Sequence, residues 1–142
     1  MSQSWSCQKG ATLLIPSGPD SKKHLFALML DPVLVDGYGP KPCVLLACVT
    51  SVKGGAALED CCLLGPGDHP FIEHDSYVDY RFTRLEPEEH LQGRVQEGAF
   101  VKKEACSPEL IKRIIQGALK SRRISREHKK ILEQVLFGGP AL

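Results

Sequence analysis

The sequence predicts a β-rich α+β fold: a small barrel or half-open sheet over residues 8–104, then two C-terminal helices over residues 107–137. Three observations predict it. Short apolar runs alternate with Gly/Pro-rich turns up to about residue 104, which suits a small antiparallel barrel better than alternating strand and helix units. From Ser107 the apolar period lengthens from two to about 3.6 residues. Finally, 142 residues with 42% apolar and 25% charged content fit one folded domain.

Taken in order, "ATLLIPS" (11–17) is a short strand closed by Pro16 and the turn-rich "SGPDS". "HLFALMLDP" (24–32) is the next, ending at Asp31-Pro32 because proline removes a ladder donor. "VLVDGYGPKP" (33–42) is a loop. The nearly continuous apolar run "CVLLACVTSV" (43–52) reads as a central strand. "GGAALED" turns the chain into "CCLL", and "GPGDHP" turns it again. "SYVDYRFTRL" (76–85) alternates, with Tyr77, Asp79, Arg81 and Thr83 on one side and Val78, Tyr80 and Phe82 on the other. "GRVQEGAFVKKE" (93–104) adds a short extended segment around Gly98. The expected sheet is antiparallel and strongly curved, with five to seven strands by the count of these segments.

"SPELIKRIIQGALKS" starts a helix: Ser107 caps it, Pro108 takes the first helical position and Glu109 the first turn. Leu110, Ile111, Ile114, Ile115, Ala118 and Leu119 form one apolar stripe. Ser125 opens a second helix whose Ile131, Leu132, Val135 and Leu136 share a side, and Gly138-Gly139-Pro140 stops it.

The net charge of +1 conceals an asymmetry. Residues 102–130 hold ten Lys or Arg against three acids, leaving eight basic against fourteen acidic residues elsewhere. A basic C-terminal third fits a polyanion or an acidic partner, and equally a solvated helix face. Six cysteines contain no C-x-x-C pair, so reduced structural thiols are expected and no metal or cofactor. No apolar run approaches the roughly 18 residues that span a bilayer, and the N-terminus lacks the layout of a secretion signal. A soluble, cytoplasmic, non-membrane protein is the expectation.

The densest run of chemistry is "GDHPFIEHDSYVDY", residues 67–80. One reading is a catalytic loop: His69 and His74 transfer protons while Asp68 or Asp75 orients an imidazole. The other is structural. Gly67 and Pro70 make the turn, Asp68 and Asp75 cap backbone donors, Phe71 and Ile72 anchor the loop, and Ser76 finishes it. The sequence leaves both open.

The order of parts, with a second strand ending in Asp-Pro, a strand ending in Thr50-Ser51, then "DSYVDYRFTRL" and "SPELIKRIIQGAL", resembles the PemK/MazF toxins of type II toxin–antitoxin systems. The resemblance covers residues 11–119 and implies an SH3-like barrel, a homodimer, an antitoxin partner and metal-independent cleavage of single-stranded RNA. The family's catalytic threonine corresponds to Thr50 in "LLACVTSV". Its catalytic arginine falls on Lys23 and His24 in "KKHLFALML", so that arginine is not matched.

Metal-free RNA cleavage needs a base for the 2′-hydroxyl proton, a cation for the phosphorane charge and an acid for the leaving oxygen. The candidate catalytic residues are therefore His24, Thr50, His69 and His74. Lys23, Ser51, Asp68, Asp75 and Ser76 are the candidate substrate-binding residues. Two functions compete: a PemK/MazF-like endoribonuclease, and a non-catalytic barrel that binds a protein partner or RNA. A hydrolase of another kind built on the histidine loop is the third.

Overall fold

The computed structural model describes residues 6–17, 22–55 and 57–138. Trp5, the 18–21 turn and the stop at residues 139–140 lie outside them. Six strands and three helices follow one another: β1 (Thr12–Ser17), β2 (Lys22–Leu28), β3 (Cys43–Ser51), β4 (Leu63–Leu64), β5 (Ser76–Pro87), α1 (Glu88–Gln96), β6 (Val101–Lys103), α2 (Pro108–Lys120) and α3 (Arg126–Phe137). The strands form one curled antiparallel sheet in the order β4-β5-β3-β2-β1-β6, a half-barrel with β4 and β6 at its ends.

Both faces of this sheet are covered. On one, Leu25, Ala27, Leu45, Ala47, Val49, Val78 and Tyr80 pack with Leu110, Ile111, Ile114 and Ala118 of α2 and Ile131 and Leu132 of α3. On the other, Leu13, Ile15, Phe26, Leu28, Val44, Leu46 and Cys48 pack with Leu91 of α1, Phe100 and Cys7. Successive strand residues point to opposite faces. A strand with a core on each side must therefore be apolar throughout, which is why β3 reads as an unbroken run.

Ser107 and Ser125 cap their helices, accepting from Leu110 N–H and His128 N–H, each at 3.1 Å. Gly138 ends α3 in the left-handed conformation at φ 65°. These are the signals the sequence carried.

Two expectations are corrected. Residues 93–96, expected in an extended segment, belong instead to helix α1, and only 101–103 of the expected 93–104 stretch pairs as a strand. Helix α1 buries only Leu91 and has no side-chain cap, so its apolar period is faint; Glu88 and Glu89 in its first turn and Arg94 in its last suit the helix dipole. The alternation expected over 76–85 also breaks. Across Leu46 and Cys48 the β5 partner jumps from Arg84 to Asp79, so Tyr80–Thr83 bulge out of register. Arg81 bonds buried Asp79 at 3.0 and 2.7 Å, and Thr83 Oγ1 donates to the Tyr80 carbonyl at 2.8 Å. The bulge leaves Phe82 55% exposed while Tyr80 is fully buried.

The cysteines of the described residues are free. Burial raises the Cys48 and Cys7 thiols to about 12, helped by Asp79 and Glu88 respectively. Burial likewise raises Cys62 and Cys106 to about 11. Because the thiolate is the reactive form, these four are expected to resist a thiol reagent at pH 8 until denaturant is added. Prompt labelling of Cys48 in the native protein, read by peptide mass, would contradict this packing. No helix among the described residues is long and apolar enough to cross a membrane.

Candidate functional site

A cleft of about 310 Å³ opens where the start of β2, the end of β3 and the loop before β5 converge. The strands bring their share by register. Leu25 pairs with Val49, and His24 and Thr50, the next residues along the two strands, both line the cleft. On the other side of β3, Thr50 pairs with Tyr77 and Ser51 with Ser76. His24 Nδ1 lies 2.8 Å from Ser17 Oγ on β1, a hydrogen bond that orients the ring.

The loop is held from inside. Asp68 accepts from Gly65 N–H at 2.8 Å, and Gly67 supplies the φ of 101° that the turn requires. Arg113 of α2 reaches across to Asp68 at 2.9 Å and to the Leu63 carbonyl at 2.7 Å. His69 is 3% exposed. Its Nδ1 accepts from Phe71 N–H at 3.0 Å, so Nε2 carries the proton and donates to the Glu104 carbonyl at 2.6 Å. Ile72 is buried beneath the loop. Ser76 Oγ donates to the His74 carbonyl at 2.8 Å, and Val52 N–H to the Asp75 carbonyl at 2.9 Å.

Six of the nine residues singled out from sequence line this cleft: Lys23, His24, Thr50, Ser51, His74 and Ser76. Asp68, His69 and Asp75 do not. Asp68 holds the turn to α2, His69 pins the loop to residue 104 with both ring nitrogens engaged, and Asp75 bonds β3 through its carbonyl. The inner half of the loop is thus framework, and its outer half lines the cleft.

Sequence reasoning missed Lys22, Lys53, Phe71 and Glu73 as lining residues. Lys22 was legible as the neighbour of Lys23. Lys53 and Glu73 carried no signal beyond lying close to Thr50 and His74. Among the described residues, three lysines and two histidines against one carboxylate make a cleft suited to an anion. Among the described residues no group of three or more His, Cys, Asp or Glu is placed to hold a metal ion.

The Asp68 clamp has a pH signature. Partial burial opposes its ionisation, but the Gly65 and Arg113 hydrogen bonds and the Arg113 charge prevail and lower its pKa. A pKa depressed in the folded state adds stability above the unfolded carboxylate range, near pH 4, and that stability is lost as pH falls through the folded value. Asp68→Asn is expected to cost about 1 kcal/mol at pH 7 for a half-exposed pair. The difference in urea midpoint between wild type and variant should be larger at pH 7 than at pH 3; equal midpoints at both would show that the clamp adds nothing.

Comparison with family models, with curated proteins and with solved structures finds no match to this chain.

Proposed function

We propose that the cleft binds single-stranded RNA and cleaves it without a metal ion, on an SH3-like scaffold of the PemK/MazF kind. The observation that carries this reading is the convergence of Lys22, Lys23 and Lys53 with His24, His74 and Thr50 around one cleft. In this reading the ammonium groups neutralise the phosphate. His24, with Nδ1 bonded to Ser17, offers Nε2 as the base that takes the 2′-hydroxyl proton. His74 protonates the leaving 5′-oxygen, and Thr50 and Ser51 donate to the non-bridging oxygens as charge develops on them. The products are a 2′,3′-cyclic phosphate and a free 5′-hydroxyl.

The test is incubation of the protein with a labelled single-stranded RNA in excess chelator. Shorter fragments ending in cyclic phosphate are expected. A second reading is favoured by one observation: the cations lining the cleft are lysines, with no arginine among them. Lysine lacks the bidentate fork that suits a phosphorane, so the same cleft can serve binding alone. RNA that is bound but left intact would establish that second reading, and RNA neither bound nor cut would remove both.

A homodimer and an antitoxin partner belong to the same proposal. Val135, Leu136 and Phe137, all exposed at the end of α3, support a protein partner there. Light scattering at micromolar concentration is expected to return twice the chain mass; the mass of a single chain would remove the dimer.

A further inference from the structure

Phe71 is 41% exposed and lines the cleft, whereas the β5 tyrosines, Tyr77 and Tyr80, are 5% and 0% exposed, and the exposed Phe82 of β5 is not among the residues that line it. Its backbone is held in place: the Phe71 N–H is bonded to His69 Nδ1 at 3.0 Å, and the next residue, Ile72, is buried. Lys103 Nζ stands over the ring, 6.0 Å from its centroid. An exposed aromatic on an anchored backbone beside a lysine-lined cleft matches what unpaired nucleic acid requires: ammonium groups for the phosphates and a π-face for a base. Among the described residues, Glu73 is the single carboxylate lining the cleft.

We infer that Phe71 is the stacking platform for one unpaired base of single-stranded RNA, beside the phosphodiester held at His24 and Thr50. The inference rests on the RNA reading above and adds the subsite that selects single strands. A base within a duplex is already stacked on both sides and cannot lie on the ring. Because every base has a π-face, this subsite supplies affinity for unpaired strand and not a sequence preference.

The test uses fluorescence anisotropy with a fluorescein-labelled single-stranded oligodeoxynucleotide, which lacks the 2′-hydroxyl and is not cut. Phe71→Ala is expected to weaken binding about 10-fold to 100-fold, the usual effect of removing one base-stacking ring. Phe71→Trp should bind like wild type, while Phe71→Leu, apolar but without a π-face, should bind like the alanine variant. An oligonucleotide in which every base is removed should bind wild type and Phe71→Ala equally. Phe71→Leu binding as tightly as wild type would overturn the inference in favour of simple apolar contact. So would Phe71→Ala with unchanged affinity. Wild-type protein that binds no oligonucleotide at low salt would overturn the RNA reading itself, together with this subsite. Thermal midpoints of the three variants, expected to match wild type, confirm that affinity and not folding is being measured.

Discussion

Gly117→Ala is expected to destabilise the protein by about 3 kcal/mol, the upper range for overpacking a core. At an open helix-interior site the same exchange stabilises by about 1 kcal/mol, since alanine is the better helix former. Position 117 reverses the sign because α2 lies directly against the sheet there. A Cβ would come within 2.9 Å of the Cys61 carbonyl oxygen and 3.0 Å of Cys62 Cβ, and closer still to Tyr80 Oη. Tyr80 cannot withdraw. Its hydroxyl donates to the Ile114 carbonyl at 2.6 Å, and its ring is fully buried. Gly93, inside α1, has nothing within 4 Å of its would-be Cβ. Gly93→Ala should therefore gain between about 0.5 and 1 kcal/mol. Urea unfolding of both variants tests the pair. Equal shifts of the same sign would mean that α2 is not seated as described. Adding Tyr80→Phe to Gly117→Ala should recover part of the loss, because the nearest obstructing atom is then gone.

His24→Ala and His69→Ala are expected to fail in opposite ways. If RNA is the substrate, His24→Ala should lower cleavage by about 10² to 10⁴, the usual effect of removing a general base. Its stability should stay close to wild type, for it is half-buried and its ring is bonded, among the described residues, to Ser17. His69→Ala should cost about 2–3 kcal/mol, because the Phe71 N–H and the Glu104 carbonyl lose their shared partner in a buried place. Part of its activity should survive at a temperature where the variant is folded. Cleavage assays beside thermal melts decide the matter. Full activity in His24→Ala would remove it from the chemistry. A stable, inactive His69→Ala would make His69 the reacting group and reverse the assignment.

How much of this could be read beforehand depended on distance along the chain. The half-barrel, the helices after Ser107 and their caps follow from local pattern, and the nearly unbroken apolar run of β3 announced a central strand. Helix α1 escaped because a single buried leucine leaves almost no period to detect. The β5 bulge escaped because its causes, the Asp79–Arg81 pair and the Thr83 hydroxyl, look the same in a regular strand. In the cleft, His24 and Thr50 were expected together from the resemblance and not from the residue pattern. The parting of His69 from His74 was not legible. It depends on a carbonyl 35 residues away and on a backbone N–H two residues on, and neither leaves a mark in the residue types. Phe71 was read as an anchor for the same reason: a hydrophobic loop residue gives no sign of which side it will face.

The sheet clad on both faces has a consequence for amide hydrogen exchange. The N–H groups of β3 are enclosed by β2 and β5 within the sheet and by a core above and below. Deuterium can reach them only when the whole domain opens, so their protection should equal the global stability. Strands β4 and β6, two and three residues long at the sheet's ends, should exchange by local fraying. Thr50 stands at the end of the slowest strand. The floor of the cleft is thus set by the most protected part of the molecule, and a ligand that docks there should slow exchange in the loop before β5 while leaving the interior of β3 unchanged.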